Sequence, residues 1–103
     1  MSYFSPVITI NTLTDGSQFV GITTVLLLAA DVNRIGFILQ NNSPNDLWWG
    51  YDAGVTVNGS GYFCLEGGSN RPFIPPPNGV HRGDIYAVSD GGSQVTAKAW
   101  IGS

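Results

Sequence analysis

The stretch Arg34-Ile35-Gly36-Phe37-Ile38-Leu39-Gln40 decides how the rest of the chain is read. Apolar and β-branched residues dominate it, and successive side chains of an extended chain point to opposite faces. Ile35, Phe37 and Leu39 then share one face, while Ile38 adds apolar character to the other. A strand apolar on both faces is expected to be central and covered on both sides. Asn41-Asn42-Ser43-Pro44-Asn45-Asp46 follows with the composition of a turn. Strand character resumes at Leu47-Trp48-Trp49-Gly50-Tyr51, so the two runs read as a hairpin.

Outward from this pair, turn clusters recur at the spacing of an all-β protein. Upstream, Val7 to Ile10 reads as a strand, Thr14-Asp15-Gly16-Ser17 as a turn and Phe19 to Gly21 as part of a short strand. Thr23 to Ala29 reads as a longer one, although Leu26 to Ala30 would equally start a helical turn. Downstream comes a Gly/Asn-rich stretch, Asp52 to Gly61, with Val55 and Val57 alternating inside it. Tyr62 to Leu65 and Asp84 to Ser89 read as strands. In the last strand, Val95 to Ile101, Val95, Ala97 and Ala99 face one way, and Thr96, Lys98 and Trp100 the other. About eight short strands with almost no helix signal predict one all-β domain over residues 1–103. The expected form is a β-sandwich, jelly-roll-like, with a small barrel as the alternative. Pro75, Pro76 and Pro77 have no N–H to donate, so Arg71 to Pro77 is expected to be an extended loop, and Met1 to Pro6 an N-terminal arm.

Composition narrows the function. Apolar residues make up 43% of the chain, enough for a core, but charged residues only 11%, against roughly 25% in an average soluble domain. Mixed charge keeps surfaces apart in water, so a deficit points to a surface covered by partners. Net charge is −3, and the four cations, Arg34, Arg71, Arg82 and Lys98, form no stripe; nucleic-acid binding, which needs clustered cations, is not expected. The lone Cys64 excludes an intramolecular disulfide. No signal-peptide pattern and no apolar run of membrane-spanning length is read in the chain, so no membrane partner is expected. The sequons at Asn41 and Asn58 are read as chance in an Asn/Ser-rich chain.

Candidate chemistry is sparse. The single histidine, His81, lies near Asp84 with serines elsewhere, so a Ser/His/Asp set is arithmetically possible. No Gly-x-Ser-x-Gly elbow accompanies it, and a solvent-exposed turn histidine is the plainer reading. One His and one Cys far apart make no zinc site, and the acids are neither spaced as a calcium loop nor paired for glycoside hydrolysis. Gly67-Gly68 lacks the Lys and helix of a phosphate loop. The expectation is no catalysis, no cofactor and no metal. Trp48, Trp49 and Tyr51 are more informative. Adjacent strand residues face opposite ways, so Trp48 and Trp49 cannot enter the same core. One fills it, and the other either covers an edge or loop, or anchors a protein interface or a sugar ring. Phe73 and Ile74 beside Pro75, Pro76 and Pro77 form a stiff apolar segment that loses little entropy on docking, or folds as a plain loop over the sandwich.

The order Arg34-Ile35-Gly36-Phe37-Ile38-Leu39-Gln40-Asn41-Asn42-Ser43, Leu47-Trp48-Trp49-Gly50-Tyr51 and Phe63-Cys64-Leu65-Glu66-Gly67-Gly68, continued by Gly83 to Ser89 and Val95 to Trp100, resembles small structural proteins of tailed bacteriophages. The shared pattern is an Arg-led strand ending in Gln-Asn-x-Ser, an aromatic strand and a Leu-x-x-Gly turn. Such proteins are similar to capsid decoration (cement) proteins and head-fibre bases, often trimeric, where capsomers meet. The Trp pair, the Pro-rich segment and the lack of an acidic residue near Lys98 depart from it. The resemblance implies a virion location after assembly in the host cytoplasm, a homo-oligomer with a trimer favoured, and the major capsid protein as partner. A head–tail connector, tail or baseplate component is the alternative, and a glycan- or receptor-binding module using exposed Trp or Tyr a further one.

Overall fold

The computed structural model describes residues 10–14, 17–68, 71–76 and 79–102. Its organising element is the last strand, Ser93–Gly102 (β8), in which buried Ser93, Val95, Ala97 and Ala99 alternate with half-exposed Thr96, Lys98 and Trp100. This is the period-two pattern of a strand with one face on a core. Arg34–Asn41 (β4) pairs antiparallel along one side of β8, from Asn41↔Val95 to Arg34↔Ile101. Along the other side lie Ile10–Thr14 (β1) and Ser17–Val20 (β2), end to end against the two halves of β8. The second sheet contains Val25–Leu28 (β3), Leu47–Gly50 (β5), Phe63–Leu65 (β6) and Ile85–Ser89 (β7), in the order β3-β7-β5-β6. Every pairing among these strands is antiparallel.

The chain is an all-β sandwich whose pairings nest. β1 and β2 pair with β8, β3 with β7 and β5 with β6, while Leu39 of β4 pairs with Phe73 in an isolated antiparallel bridge. A single long hairpin, rolled so that its successive pairs fall alternately into the two layers, produces this order. With Phe73 counted beside β4, it is the strand order of a jelly roll. The predicted strands at Arg34, Leu47, Tyr62, Asp84 and Val95 are all present within a residue or two, whereas Val7 to Thr9 and Met1 to Pro6 lie outside the described residues.

The strand read over Thr23 to Ala29 is present as β3, its helical alternative falls, and two expectations are corrected. Leu26 to Ala30 does not start a helix. A register shift between Leu26 and Leu28 turns the adjacent Leu27 and Leu28 both inward, which is why the run shows no alternation. The centre of its sheet is β8, not β4. A shift between Arg34 and Gly36 brings Arg34, Phe37, Leu39 and Asn41 to the inner face and leaves Ile35 exposed. Finally, β4 and β5 are not a hairpin: they belong to different sheets. Their inner faces carry Phe37 and Leu39 on one side and Leu47 and Trp49 on the other, and facing each other across the sandwich buries all four. Each such side chain contributes about 1.5–3 kcal/mol when buried, which pairing in one sheet would forfeit. The crossing is held by Asn41, whose Nδ2 donates to Asn45 O (2.6 Å) and Leu65 O (3.0 Å). Gly67 packs against the Pro44 backbone so closely that a Cβ would collide, and its N–H reaches Asp46 Oδ1 at 2.8 Å.

Arg34 closes the opposite end. It is 1% exposed, and it donates to His81 O (2.8 Å), Gly83 O (3.0 Å) and Ala29 O (2.6 Å). Its own carbonyl accepts from Arg82 Nε at 2.8 Å. Burial pulls its pKa down, and the charges of Asp31 and Asp84 oppose that shift. One side chain thus joins the β3–β4 and Pro76–β7 connections by satisfying carbonyls that the sheets leave unpaired. Arg34→Ala, which strands three carbonyls, is expected to cost about 3–5 kcal/mol. Urea unfolding measures it, and Arg34→Lys should recover less than half, because an ammonium cannot span three acceptors.

Candidate protein-contact surface

The Trp pair at the middle of β5 sets the local architecture. Trp49 is fully buried between the sheets, and Trp48 points through the other face of its sheet yet is only 8% exposed. The segment Asp52 to Gly61 covers it. Trp48, Val55 and Val88 form a second small core flanked by Val57, Tyr62 and Tyr86. Tyr62 Oη donates to Asp52 Oδ1 at 2.7 Å, and Thr24 Oγ1 donates to Val55 O at 3.0 Å, fastening the segment across the sheet. Gly50 makes room for the Tyr62 ring, since a Cβ there would stand 2.5 Å from Tyr62 Cδ1. Trp48 and Trp49 do occupy different cores. Neither is an exposed anchor, because the Gly/Asn-rich stretch carries Val55 and Val57 as its own apolar lid.

What reaches the surface instead is the end of an aromatic column. Trp49 touches Phe37 edge-on (6.4 Å between centroids), tilts against Phe73 (4.8 Å) and stacks on Phe63 (4.5 Å). Phe63 meets Tyr51 at 5.8 Å, and Tyr51 stacks nearly parallel on His81 at 3.7 Å. Phe63 lies opposite Trp49 in the β5–β6 register, so both project from the inner face. That face is open to solvent at its edge because the layer opposite is thin there: among the described residues, beyond β4 it consists of the Phe73 bridge. Phe63 is 44%, Tyr51 39% and Ile74 65% exposed. Phe73 is half-buried, Pro75 buried and Pro76 exposed, while Pro77 lies outside the described residues. The stiff segment at Phe73 is therefore a loop packed on the sandwich through Phe73 and Pro75, and it presents Ile74 outward.

His81 is half-buried on Tyr51, and its Nε2 lies 3.1 Å from the backbone carbonyl of Asp84 rather than from its carboxylate. The Asp84 carboxylate instead accepts from Ala30 N at 2.8 Å and from Tyr86 Oη at 3.4 Å. The His81–Asp84 pair is thus built into the loop tied down by Arg34 and is not arranged as a relay. Among the described residues no three His, Cys, Asp or Glu side chains converge where they could hold a metal ion. Cys64 is exposed beside a cavity of about 680 Å³ whose lining includes Leu65, Glu66 and Arg71. Partial burial, then the charges of Asp46, Glu66 and Asp90, push its thiol pKa up, away from the thiolate that would make it reactive. The sequence reading missed Phe63, whose place beside Trp49 follows only from the strand register. It also missed Phe19, Ile22 and Leu26, which the sandwich leaves exposed. Comparison with protein-family models, curated proteins and solved structures finds no match.

Two predictions follow from this geometry. Trp49→Ala, which empties the column's base, should cost about 3–5 kcal/mol. Phe63→Ser, which forfeits a surface stack, should cost about 1 kcal/mol, and Ile74→Ser less than about 0.5 kcal/mol, all read by urea unfolding. The hydrogen bond to Asp52 raises the pKa of Tyr62, and burial raises that of Tyr51. The folded state then keeps phenolic protons that the unfolded chain releases. Their contribution is intact below a pH of about 10 and lost as pH rises through the folded-state values. Absorbance titration at alkaline pH should find one fewer late phenol in Tyr62→Phe than in the parent.

Proposed function

We propose that this chain is a structural subunit of a tailed-phage virion that acts through protein contact and carries no catalysis of its own. Its most specific form is a capsid decoration protein, bound to the major capsid protein, self-associating with a trimer favoured, and assembled in the host cytoplasm. The observation that carries the reading is the exposed aromatic pair Tyr51 and Phe63 at the end of the column, with Ile74 exposed separately on the Phe73 loop. Aromatic groups held at a surface by a rigid column resemble the anchors that dominate protein interfaces. Their exposure does little for folding, and aromatic groups grouped at a surface are the kind that an interface covers. The low charge content, 11%, agrees with a surface made for partners. Jelly-roll order is common to capsid domains, lectins and cupins, so the fold alone selects none of them. A sugar-stacking platform is less favoured, because Trp48 and Trp49 are buried and one face of Tyr51 is taken by His81.

Quantitative mass spectrometry of purified particles tests the proposal. A copy number comparable with that of the major capsid protein is expected, and Phe63→Asp combined with Ile74→Asp should strip the chain from particles while leaving it folded. A handful of copies per particle would point to a connector, tail or baseplate component instead, and absence from particles would end the virion reading.

A further inference from the structure

Asn58 and Gly59 close a turn in the segment that covers Trp48. Gly59 N donates to Thr56 O at 2.9 Å, and Asn58 stands at φ +59°. That left-handed conformation belongs to the third residue of a type II turn, where Asn is one of the few side chains accepted. Val57, the second residue, packs on the Trp48–Val55–Val88 core. Position 59 admits no side chain: a Cβ there would stand 2.6 Å from Thr56 Oγ1 and 2.8 Å from Tyr62 Cδ2. Backbone conformation thus favours Asn at one position, and packing requires Gly at the next. Among the described residues no other Asn precedes a Gly.

We infer that Asn58 is a site of self-modification, deamidating through a cyclic imide, and that the fold holds this reaction back until the segment over Trp48 opens. The inference stands apart from the proposed virion role. An Asn followed by Gly is prone to this chemistry because no side chain on the second residue hinders ring closure, and Asn58 is exposed to water. The chain and water alone suffice. The Gly59 nitrogen gives up its proton and bonds to Cγ of Asn58. The Cγ–Nδ2 bond breaks, and Nδ2 leaves as ammonia, carrying the proton that Gly59 released. Water then opens the imide at either carbonyl, which leaves aspartate or isoaspartate. In the closed turn this nitrogen is not available, because its N–H is committed to Thr56 O. A hydrogen-bonded N–H must come free before it can lose its proton. Gly59 is also hemmed in by Thr56 and the Tyr62 ring, so it cannot swing toward the Asn58 side chain while the segment is shut. Two latches keep it shut, Tyr62 Oη on Asp52 Oδ1 at 2.7 Å and Thr24 Oγ1 on Val55 O at 3.0 Å. Local opening of these latches, rather than the exposure of Asn58, then sets the rate.

Peptide mapping by mass spectrometry, during incubation of the purified chain in mildly alkaline buffer, follows the change from amide to acid at Asn58 separately from Asn78. The parent unfolded in guanidinium chloride should convert readily, and the folded parent about tenfold slower or more, as expected when several hydrogen bonds must open first. Tyr62→Phe, which undoes the Asp52 latch, should speed the folded-state reaction about fivefold, the factor that corresponds to one net hydrogen bond. Thr24→Val undoes the other latch and should act in the same direction; it replaces Tyr62→Phe should that variant fail to fold. No conversion at Asn58 in guanidinium chloride would overturn the site itself. A folded parent that converts as fast as the unfolded chain, or folded latch variants that convert no faster than the parent, would overturn its control by the fold.

Discussion

Phe73 and Leu39 exchange two backbone hydrogen bonds, at 2.7 and 3.1 Å, and there the first sheet ends. In an antiparallel ladder the next such pair falls two residues on, at Pro75, which has no N–H to give. The fourth member of that sheet is thereby held to a single pair at this side. Much of the molecule's surface character depends on this constraint. A full strand at Phe73 would lay a second layer over β6 and bury Phe63. With one pair, Phe73 reaches far enough to seal Trp49 and Phe37, and the outer part of the column stays in solvent. Proline chemistry, strand layering and the exposed aromatic edge are one chain of cause.

The sequence carries the class of fold plainly, because alternation in β8 and turn residues between short runs survive any choice of pairing. What it hides is parity. Each register shift inserts a residue that reverses which face the following side chains take, and composition leaves no mark of it. Ile35 therefore reads as core although Arg34 takes the inward place, and Leu27 and Leu28 read as a possible helix. The Leu47 to Tyr51 run pairs with segments far along the chain, so proximity to β4 suggested a hairpin that the need for two facing apolar layers overrules. The site was legible in part. Tyr51, Phe73 and Ile74 were identifiable as apolar groups in awkward company, and the opposition of Trp48 and Trp49 followed from strand geometry alone. That a glycine-rich stretch would fold into a lid over Trp48 depended on the fit of Tyr62 against Gly50, which a linear reading does not contain.

The residues behind the resemblance to phage structural proteins perform fold-closing tasks in this chain. Arg34 gathers three carbonyls at one end; Asn41, Ser43 and Gly67 carry the chain across the other. Such positions are constrained by topology, so the pattern there speaks first of how this sandwich closes. The surface groups, Phe63, Ile74, Phe19 and Ile22, are free of those constraints, and they are where a particular partner would be specified. The closing of the fold and the proposed function therefore rest on different side chains, and each can stand or fall without the other.

A small sandwich with exposed apolar groups faces a conflict between solubility and assembly. Charge would relieve it, but charges placed among those groups would weaken every contact made there. The chain instead spaces the exposed groups around the body, keeps Tyr51 and Phe63 stiff through stacking, and limits sheet extension beside β4 with Pro75. Each contact is then weak by itself and gains strength only in numbers. In the capsid role proposed above, a repeating shell would supply those numbers, since a surface that presents identical neighbours at fixed spacing turns modest contacts into durable ones by effective concentration. Under that proposal the low charge and the exposed apolar groups would serve one end, attachment to an array of identical neighbours.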